Sequence, residues 1–539
     1  MHKNMLSRFA LSALLLAGSP YGADSALAQS GAEPRVMVRE FRVTGNTLLP
    51  ASRIDDVLAP FKGERSLAEL QAAAAALQDL YREAGYGAVI AYVPQQSGPS
   101  GMATLAVLEG RIRRVVVVGN QVASEAVVRR SLPGLAEGQT PQLRRVDAQV
   151  QLANENPSRQ VAVSLEAGTA PGDVDANVSV TESPQGTWIL GLDNTGNAGS
   201  GRLRANVAYQ RAGLWDRDHV LSLQFQTSPE KLDSVRVFSA SYRAPLYDAG
   251  LVLDAFAAYS DVDGGTTSTV AGPLQFSGKG EVLGVRLGGQ LVRNGELVQR
   301  LALGLDHRAY INNCAISGLP AGACGTAGES VAVHPLSVDY LLQWSGDVPM
   351  ALQLNLAQGL DMGGRHAGAG NFAAVRPGAT PGYTSLRANA STQLKLLEQW
   401  QLALRVQGQL SPDALVPGEQ FGVGGSTAVR GYEEREVIGD SGLAGSLELY
   451  GPNLAGGAFR AVDQFRLLGF VDAGRAMNHL GTPCRDLQSR CNLSSLGLGA
   501  RLGGSGLQVS LDWALALDKG VRTARHDQRV HLRVAYSFH

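Results

Sequence analysis

From about residue 184 to the C-terminus, apolar and polar residues alternate with period two, in segments of about ten residues separated by turn residues. Val530, Leu532, Val534, Tyr536 and Phe538 interleave with His531, Arg533, Ala535 and Ser537. Leu507, Val509, Leu511, Trp513 and Leu515 interleave with Gln508, Ser510, Asp512 and Ala514, and Trp400, Leu402, Leu404 and Val406 with Gln401, Ala403, Arg405 and Gln407. Successive strand side chains point to opposite faces, so each segment has one face fit for lipid and one fit for water. A soluble β-sandwich alternates in a similar way but need not have a polar inner face. No stretch reaches 18 uninterrupted apolar residues, so a helical span is excluded. Backbone polar groups in hydrocarbon need internal partners, which leaves a closed barrel as the way to cross a bilayer. Segments centred near residues 190, 205, 223, 239, 255, 286, 304, 338, 355, 388, 405, 445, 468, 497, 511 and 533 give sixteen antiparallel strands, an even number as such barrels require. A barrel this wide encloses a channel unless something fills it.

Composition narrows the class further. Charged residues are 18% of the chain, below the roughly 25% of soluble domains. Glycine reaches 65 of 539 residues without a fixed period, which excludes a collagen, a coiled coil and a charged disordered chain. The balance of 47 basic against 48 acidic residues gives no field for nucleic acid. No H-E-x-x-H, G-x-S-x-G, C-x-x-C or G-x-x-x-x-G-K occurs, and nine histidines are scattered without ligand spacing. His219 and His307 read as strand positions. Neither an enzyme, a metal site nor a cofactor is expected.

The N-terminus carries Lys3 and Arg8, an apolar run from Phe9 to Ala17, and Ala26-Leu27-Ala28 before Gln29. This is the pattern of a secretory signal peptide over 1–28, followed by a short linker at 29–35. In an exported chain, Cys314 with Cys324 and Cys484 with Cys491 read as two local loop disulfides.

Residues 36–183 contain the same unit twice, at 36–110 and 111–183. Val43-Thr44-Gly45-Asn46 and Val117-Val118-Gly119-Asn120 each end a strand-like run. Each is followed by a short helix, a longer helix and two strands, in the order β-α-α-β-β. Leu67, Leu70, Ala74, Leu77 and Tyr81 keep helical spacing. A one-layer sheet of this kind leaves an edge that can take up an extended guest strand, though such units could equally serve as spacers.

The longest connection, 412–438, joins the eleventh and twelfth strands. It contains Gly424 and Gly425, which permit tight turns, and Val429-Arg430-Gly431-Tyr432, which puts one guanidinium beside an aromatic ring. A guanidinium carried into a barrel lumen needs a carboxylate. The thirteenth strand reads Phe470-Val471-Asp472-Ala473-Gly474, and its alternation puts Asp472 on the face of Arg466, Leu468 and Phe470, taken as inward. A bidentate Arg430–Asp472 bond would pin the loop inside the barrel, as a brace or as a gate.

The V-R-G-Y loop, the F-x-D-x-G strand, sixteen strands and tandem modules together resemble the transporters of bacterial two-partner secretion. These are the FhaC/ShlB/HecB-like (TpsB) branch of the BamA superfamily, and the modules resemble that family's POTRA domains. Gly85-Tyr86, Asn156-Pro157-Ser158-Arg159 and Asp193-Asn194-Thr195-Gly196 add to the likeness. The resemblance covers the chain after the signal peptide. It implies an outer-membrane protein of a Gram-negative bacterium, with its modules in the periplasm. It also implies passage of an unfolded, haemolysin- or adhesin-like, β-helical (TpsA-like) partner to the surface without nucleotide hydrolysis. Further partners implied are outer-membrane lipid and the barrel assembly machinery, with the transporter itself a monomer. In the family the loop arginine meets the strand aspartate, which here means Arg430 and Asp472. Two departures stand out: a plug helix ahead of Val36 is not expected, and the last aromatic residue, Phe538, is penultimate. The alternatives are an assembly factor of the same superfamily, which commonly has more modules, and a passive porin or adhesin.

Overall fold

The computed structural model describes residues 35–95, 101–262, 265–269, 272–276, 279–291, 295–312, 329–455 and 462–539. The expected signal peptide, most of the linker and the Cys314–Cys324 pair lie outside the described residues. The chain divides into two compact units, one ending at Leu80 and resuming over Ala91–Leu108, the other holding Tyr81–Ile90 and Glu109–His539.

The first module builds a sheet in the order Gly63–Arg65, Val36–Thr44, Gly101–Glu109, Val89–Tyr92. Helices Ala51–Leu58 and Leu67–Glu83 accompany it. A reciprocal cap starts the longer helix: the Ser66 N–H donates to Glu69 Oε2 (2.8 Å) and the Glu69 N–H to Ser66 Oγ (3.3 Å). The strand Gly63–Arg65 is an addition to the expected β-α-α-β-β order. Three residues are too few for an alternation pattern, and the strand exists because Val36, Met37 and Val38 offer it a partner edge. The second module has the sheet order Arg111–Val118, Asp173–Glu182, Arg159–Ala167, with helices Glu125–Ser131 and Leu143–Ala153. In both modules the V-x-G-N glycine has a left-handed backbone, with φ +83° at Gly45 and +86° at Gly119. A Cβ there would lie 2.1 Å from the Val107 carbonyl oxygen and 2.3 Å from that of Val180. The repeated glycine marks the same close backbone approach twice.

Sixteen antiparallel strands then close a barrel among the described residues. They are Gly186–Asp193, Arg204–Leu214, His219–Thr227, Val235–Leu246, Leu251–Val262, Lys279–Gln290, Leu297–Ile311 and Pro335–Trp344 (continued from Val331–Val333). The second eight are Met350–Gly359, Thr384–Lys395, Gln401–Leu410, Ser441–Tyr450, Gln464–Met477, Arg490–Gly504, Leu507–Ala516 and Gln528–Phe538. Closure pairs the sixteenth strand with the first from Arg533↔Asp193 to Phe538↔Trp188. The alternation has the expected phase: Leu511, Trp513, Leu467 and Val471 are exposed on the outer wall, whereas Asp512, Leu468, Phe470 and Asp472 are buried inside.

The second module and the near end of the barrel share one core, in which Val128, Leu132 and Val178 continue to Tyr247 and Val252. The turn between the second and third barrel strands is strained. Trp215, Asp216 and Asp218 all have left-handed backbones, at φ +61°, +51° and +61°. Each such residue costs on the order of 1 kcal/mol and persists only where its surroundings hold it. Here the module does so. Ser124 Oγ donates to Asp216 (2.8 Å) and Arg130 to the Asp216 carbonyl (3.0 Å). Buried Asp218 accepts from Arg159 (2.7 Å), Asn156 (3.0 Å) and the Tyr247 hydroxyl (2.9 Å). Beside it, Glu155 of the module accepts from Arg243 (3.0 Å), Arg300 (3.3 Å) and Gln290 (2.8 Å) of the barrel.

Asp218→Ala would leave Arg159 and Tyr247 buried without their acceptor, a loss of about 3 kcal/mol. Proteolysis of the second module in the detergent-solubilised protein is expected to quicken about a hundredfold, with the barrel still resistant.

Candidate functional site

The connection 411–440 runs inside the barrel, and its two ends leave neighbouring strands, with Gln409 paired to Gly442. Its base packs on the short helix Ala369–Val375 through Phe372, Leu415 and Val416, together with Tyr310 and Tyr383. Two ion-pair clusters fix this base. Arg376 forks onto Asp440, whose carboxylate also accepts the N–H groups of Leu415 (2.9 Å) and His479 (2.8 Å). Glu419 accepts from Arg308 (2.9 Å), Arg387 (3.0 Å) and the Tyr310 hydroxyl (2.7 Å). Beyond them a small hairpin forms from Phe421–Val423 and Val437–Gly439. Gly424 and Gly425 leave it with φ +110° and +100°.

The hairpin tip delivers Arg430, which is only 2% exposed. Its guanidinium meets Asp472 side-on, Nε to Oδ2 at 2.7 Å and Nη2 to Oδ1 at 2.8 Å, and its own backbone N–H adds a third bond to Oδ2 (3.1 Å). Nη2 also donates to Ser446 Oγ (2.9 Å). Nη1 reaches Glu448 (2.8 Å) and, at the longer distance of 3.5 Å, Asp512. The guanidinium carbon sits 3.4 Å from the centre of the Phe470 ring, a cation–π stack. One cation is thus enclosed by three carboxylates and one ring.

Neighbouring residues complete the seat. The Gly431 N–H donates to His531 Nε2 (3.0 Å). The Tyr432 hydroxyl donates to the Ser494 carbonyl (2.8 Å) and accepts the Asp518 N–H (3.0 Å). Past the tip, Glu433 takes Arg522 and Arg529, and Glu436 takes the N–H and hydroxyl of Thr523. Gly474 supplies the room: a Cβ there would lie 2.6 Å from Val423 and 3.0 Å from Val429. The second position after Phe470-Val471-Asp472 is glycine because the hairpin rests on it.

The structure therefore brings Val429 onto Gly474 and Arg430 onto Asp472 and Phe470, while Gly431 meets His531 and Tyr432 meets Ser494 and Asp518. The ring beside the guanidinium is Phe470, since Tyr432 turns its hydroxyl to the strand carbonyls. Cys484 and Cys491 form a disulfide. Sequence reasoning missed Glu448, Asp512, Ser446 and His531. All four lie on inward phases of the alternation, which was the available signal. Among the described residues no group of three or more His, Cys, Asp or Glu could hold a metal ion.

A sixteen-stranded barrel preceded by β/α modules and filled by an arginine-tipped hairpin is the build of an outer-membrane transporter. More narrowly, the chain belongs to the haemolysin secretion/activation protein family ShlB/FhaC/HecB, whose model matches residues 172–502, and a ShlB-type POTRA domain matches residues 36–110. It is similar to the outer membrane transporter CdiB of Escherichia coli O6:K15:H31 (strain 536 / UPEC), 25% identical over 427 residues, covering 76% of this chain and 68% of that one. CdiB of Dickeya dadantii (strain 3937) is 24% identical over 475 residues, covering 86% and 79%. Among solved structures, CdiB from Escherichia coli superposes with a TM-score of 0.74 at 21% identity, covering 95% of this chain and 93% of that one. BamA from Haemophilus ducreyi lacking POTRA domains 1–3 gives 0.50 at 16%, covering 93% and 100%. The protein is a TpsB-type transporter of the outer membrane, with its modules on the periplasmic side.

Gly474→Leu would drive a side chain into Val423 and Val429, at roughly 1–3 kcal/mol for such overpacking. Hydrogen–deuterium exchange across residues 425–432 is expected to quicken about tenfold or more.

Proposed function

We propose that this transporter captures an unfolded exported partner protein through its periplasmic modules and passes it through the barrel to the cell surface, with the 411–440 hairpin as a displaceable lid. The observation that carries the reading is the Arg430 seat. The hairpin tip is held chiefly by polar and ionic contacts, which can be re-formed in water, beside a small apolar cluster of Val423, Val429, Tyr432 and Val437 against Ala444, Ala476 and Leu493. Arg430 and Asp472 act as the latch. The displaced hairpin leaves the lumen open, and folding of the partner outside makes the passage one-way, so no nucleotide is needed.

The second module has features suited to capture. Strand Arg111–Val118 lies at an edge of its sheet. Beside it runs a groove of about 490 Å³ lined by Val115, Val117, Val128, Leu132, Leu135 and Val178. An extended guest could add backbone hydrogen bonds at the edge and place alternate side chains in the groove. Arg129 donates to the Val115 carbonyl (2.6 Å) and is tied to Glu125 (2.7 Å), so it guards part of that edge until a guest arrives. The barrel is inserted by the assembly machinery and works as a monomer in outer-membrane lipid. A role in assembling other barrels is the second reading, favoured only by the BamA-like fold.

Arg430→Ala is expected to cut secretion of the partner at least about tenfold, on the scale of a lost buried charge pair. The barrel should keep its resistance to denaturation by detergent. Normal secretion by this variant would refute the latch. Deleting the gene separates the two readings: one large exported protein should vanish from the surface, whereas a general loss of outer-membrane barrels would favour assembly.

A further inference from the structure

The well that receives Arg430 holds three carboxylates, Asp472, Glu448 and Asp512, and a single departing cation would strand all three. Two arginines of the barrel wall change that balance. Arg501, on the fourteenth strand, binds Asp512 end-on through Nη1 and Nη2 at 2.8 and 3.0 Å and lies 4.0 Å from Glu448. Arg405, on the eleventh strand, donates to Glu448 at 2.8 Å. The Tyr450 hydroxyl donates to the other Glu448 oxygen (2.6 Å). Arg430 therefore shares two of its carboxylates with the wall. Asp512 lies closer to Arg501 than to Arg430, for which the distance is 3.5 Å. Among the described ion pairs, Asp472 alone is Arg430's private partner.

We propose that Arg501, assisted by Arg405, is a positioning residue that stands in for Arg430 on Glu448 and Asp512 when the hairpin withdraws, and so sets how readily the lid opens. The inference rests on the reading that the hairpin moves. With the lid seated, three carboxylates face three guanidinium groups. With it withdrawn, the two wall arginines remain and only Asp472 is left uncompensated, in a lumen that admits water as it opens. Without Arg501, Asp512 would have Arg430 as its remaining cation. The seated state would gain a stronger pair, and the withdrawn state would leave two bare carboxylates near Glu448. Both effects act in the same direction, toward a tighter lid.

The test is hydrogen–deuterium exchange of residues 425–434 in the detergent-solubilised mature protein, which reports how often the hairpin leaves its seat. Arg501→Gln is expected to slow exchange at least about fivefold, the low end of typical couplings between sites. Arg501→Gln/Asp512→Asn, which removes the orphaned carboxylate as well, is expected to return exchange to the wild-type rate. A wall residue that merely braced the barrel would quicken exchange when removed, and the opposite sign would overturn the proposal. So would an unchanged rate in Arg501→Gln, or failure of the double variant to recover. Arg430→Ala, measured in parallel, separates this from the latch reading. If it leaves exchange unchanged, the latch itself fails. If it quickens exchange while Arg501→Gln does nothing, only the stand-in role fails.

Discussion

One buried guanidinium organises the inside of this barrel. Arg430 is enclosed by Asp472, Glu448 and Asp512 and stacked on Phe470, so the charges of three wall strands converge on one atom group. A charge in that position is tolerable only when its partners are complete, since removing one from a buried set is costly. The constraint works in both directions. The hairpin needs the well to be inside at all, and the well needs the hairpin to balance Asp472. Gly474, the tight turns at Gly424 and Gly425, and the buried base at Asp440 and Glu419 all serve to deliver Arg430 to that point.

The junction between the second module and the barrel obeys the same logic at the periplasmic end. Asp218 sits in a turn with three left-handed residues, and module side chains complete its hydrogen bonds. Strain in the barrel turn and burial of the module's Arg159 compensate each other. The shared core through Tyr247 and Val252 makes the module part of the barrel's floor.

Much of this was legible in the residue pattern, for reasons that differ by scale. Period-two alternation placed all sixteen strands and gave Asp472 its inward face, because a strand's two faces are fixed by geometry alone. The helical spacing of Leu70, Ala74, Leu77 and Tyr81 gave the module helix in the same way. What alternation lacks is height: it says that Glu448 and Asp512 point inward, not that the register brings both to the level of Arg430. That depends on pairings such as Ser446↔Asp472 and Gly499↔Asp512, which accumulate around the barrel. Asn156-Pro157-Ser158-Arg159 stood out, yet its partner was a turn aspartate with no pattern of its own. The strand Gly63–Arg65 was invisible because it borrows its structure from a neighbour's edge.

The hairpin's two ends rise from adjacent staves, and this limits what its motion can achieve. It is a tongue rooted at both sides, and it cannot be shed like a cork. However it moves, its thirty or so residues stay tethered to the same two strands. The tether thus keeps the arginine tip within reach of its own berth and of no other.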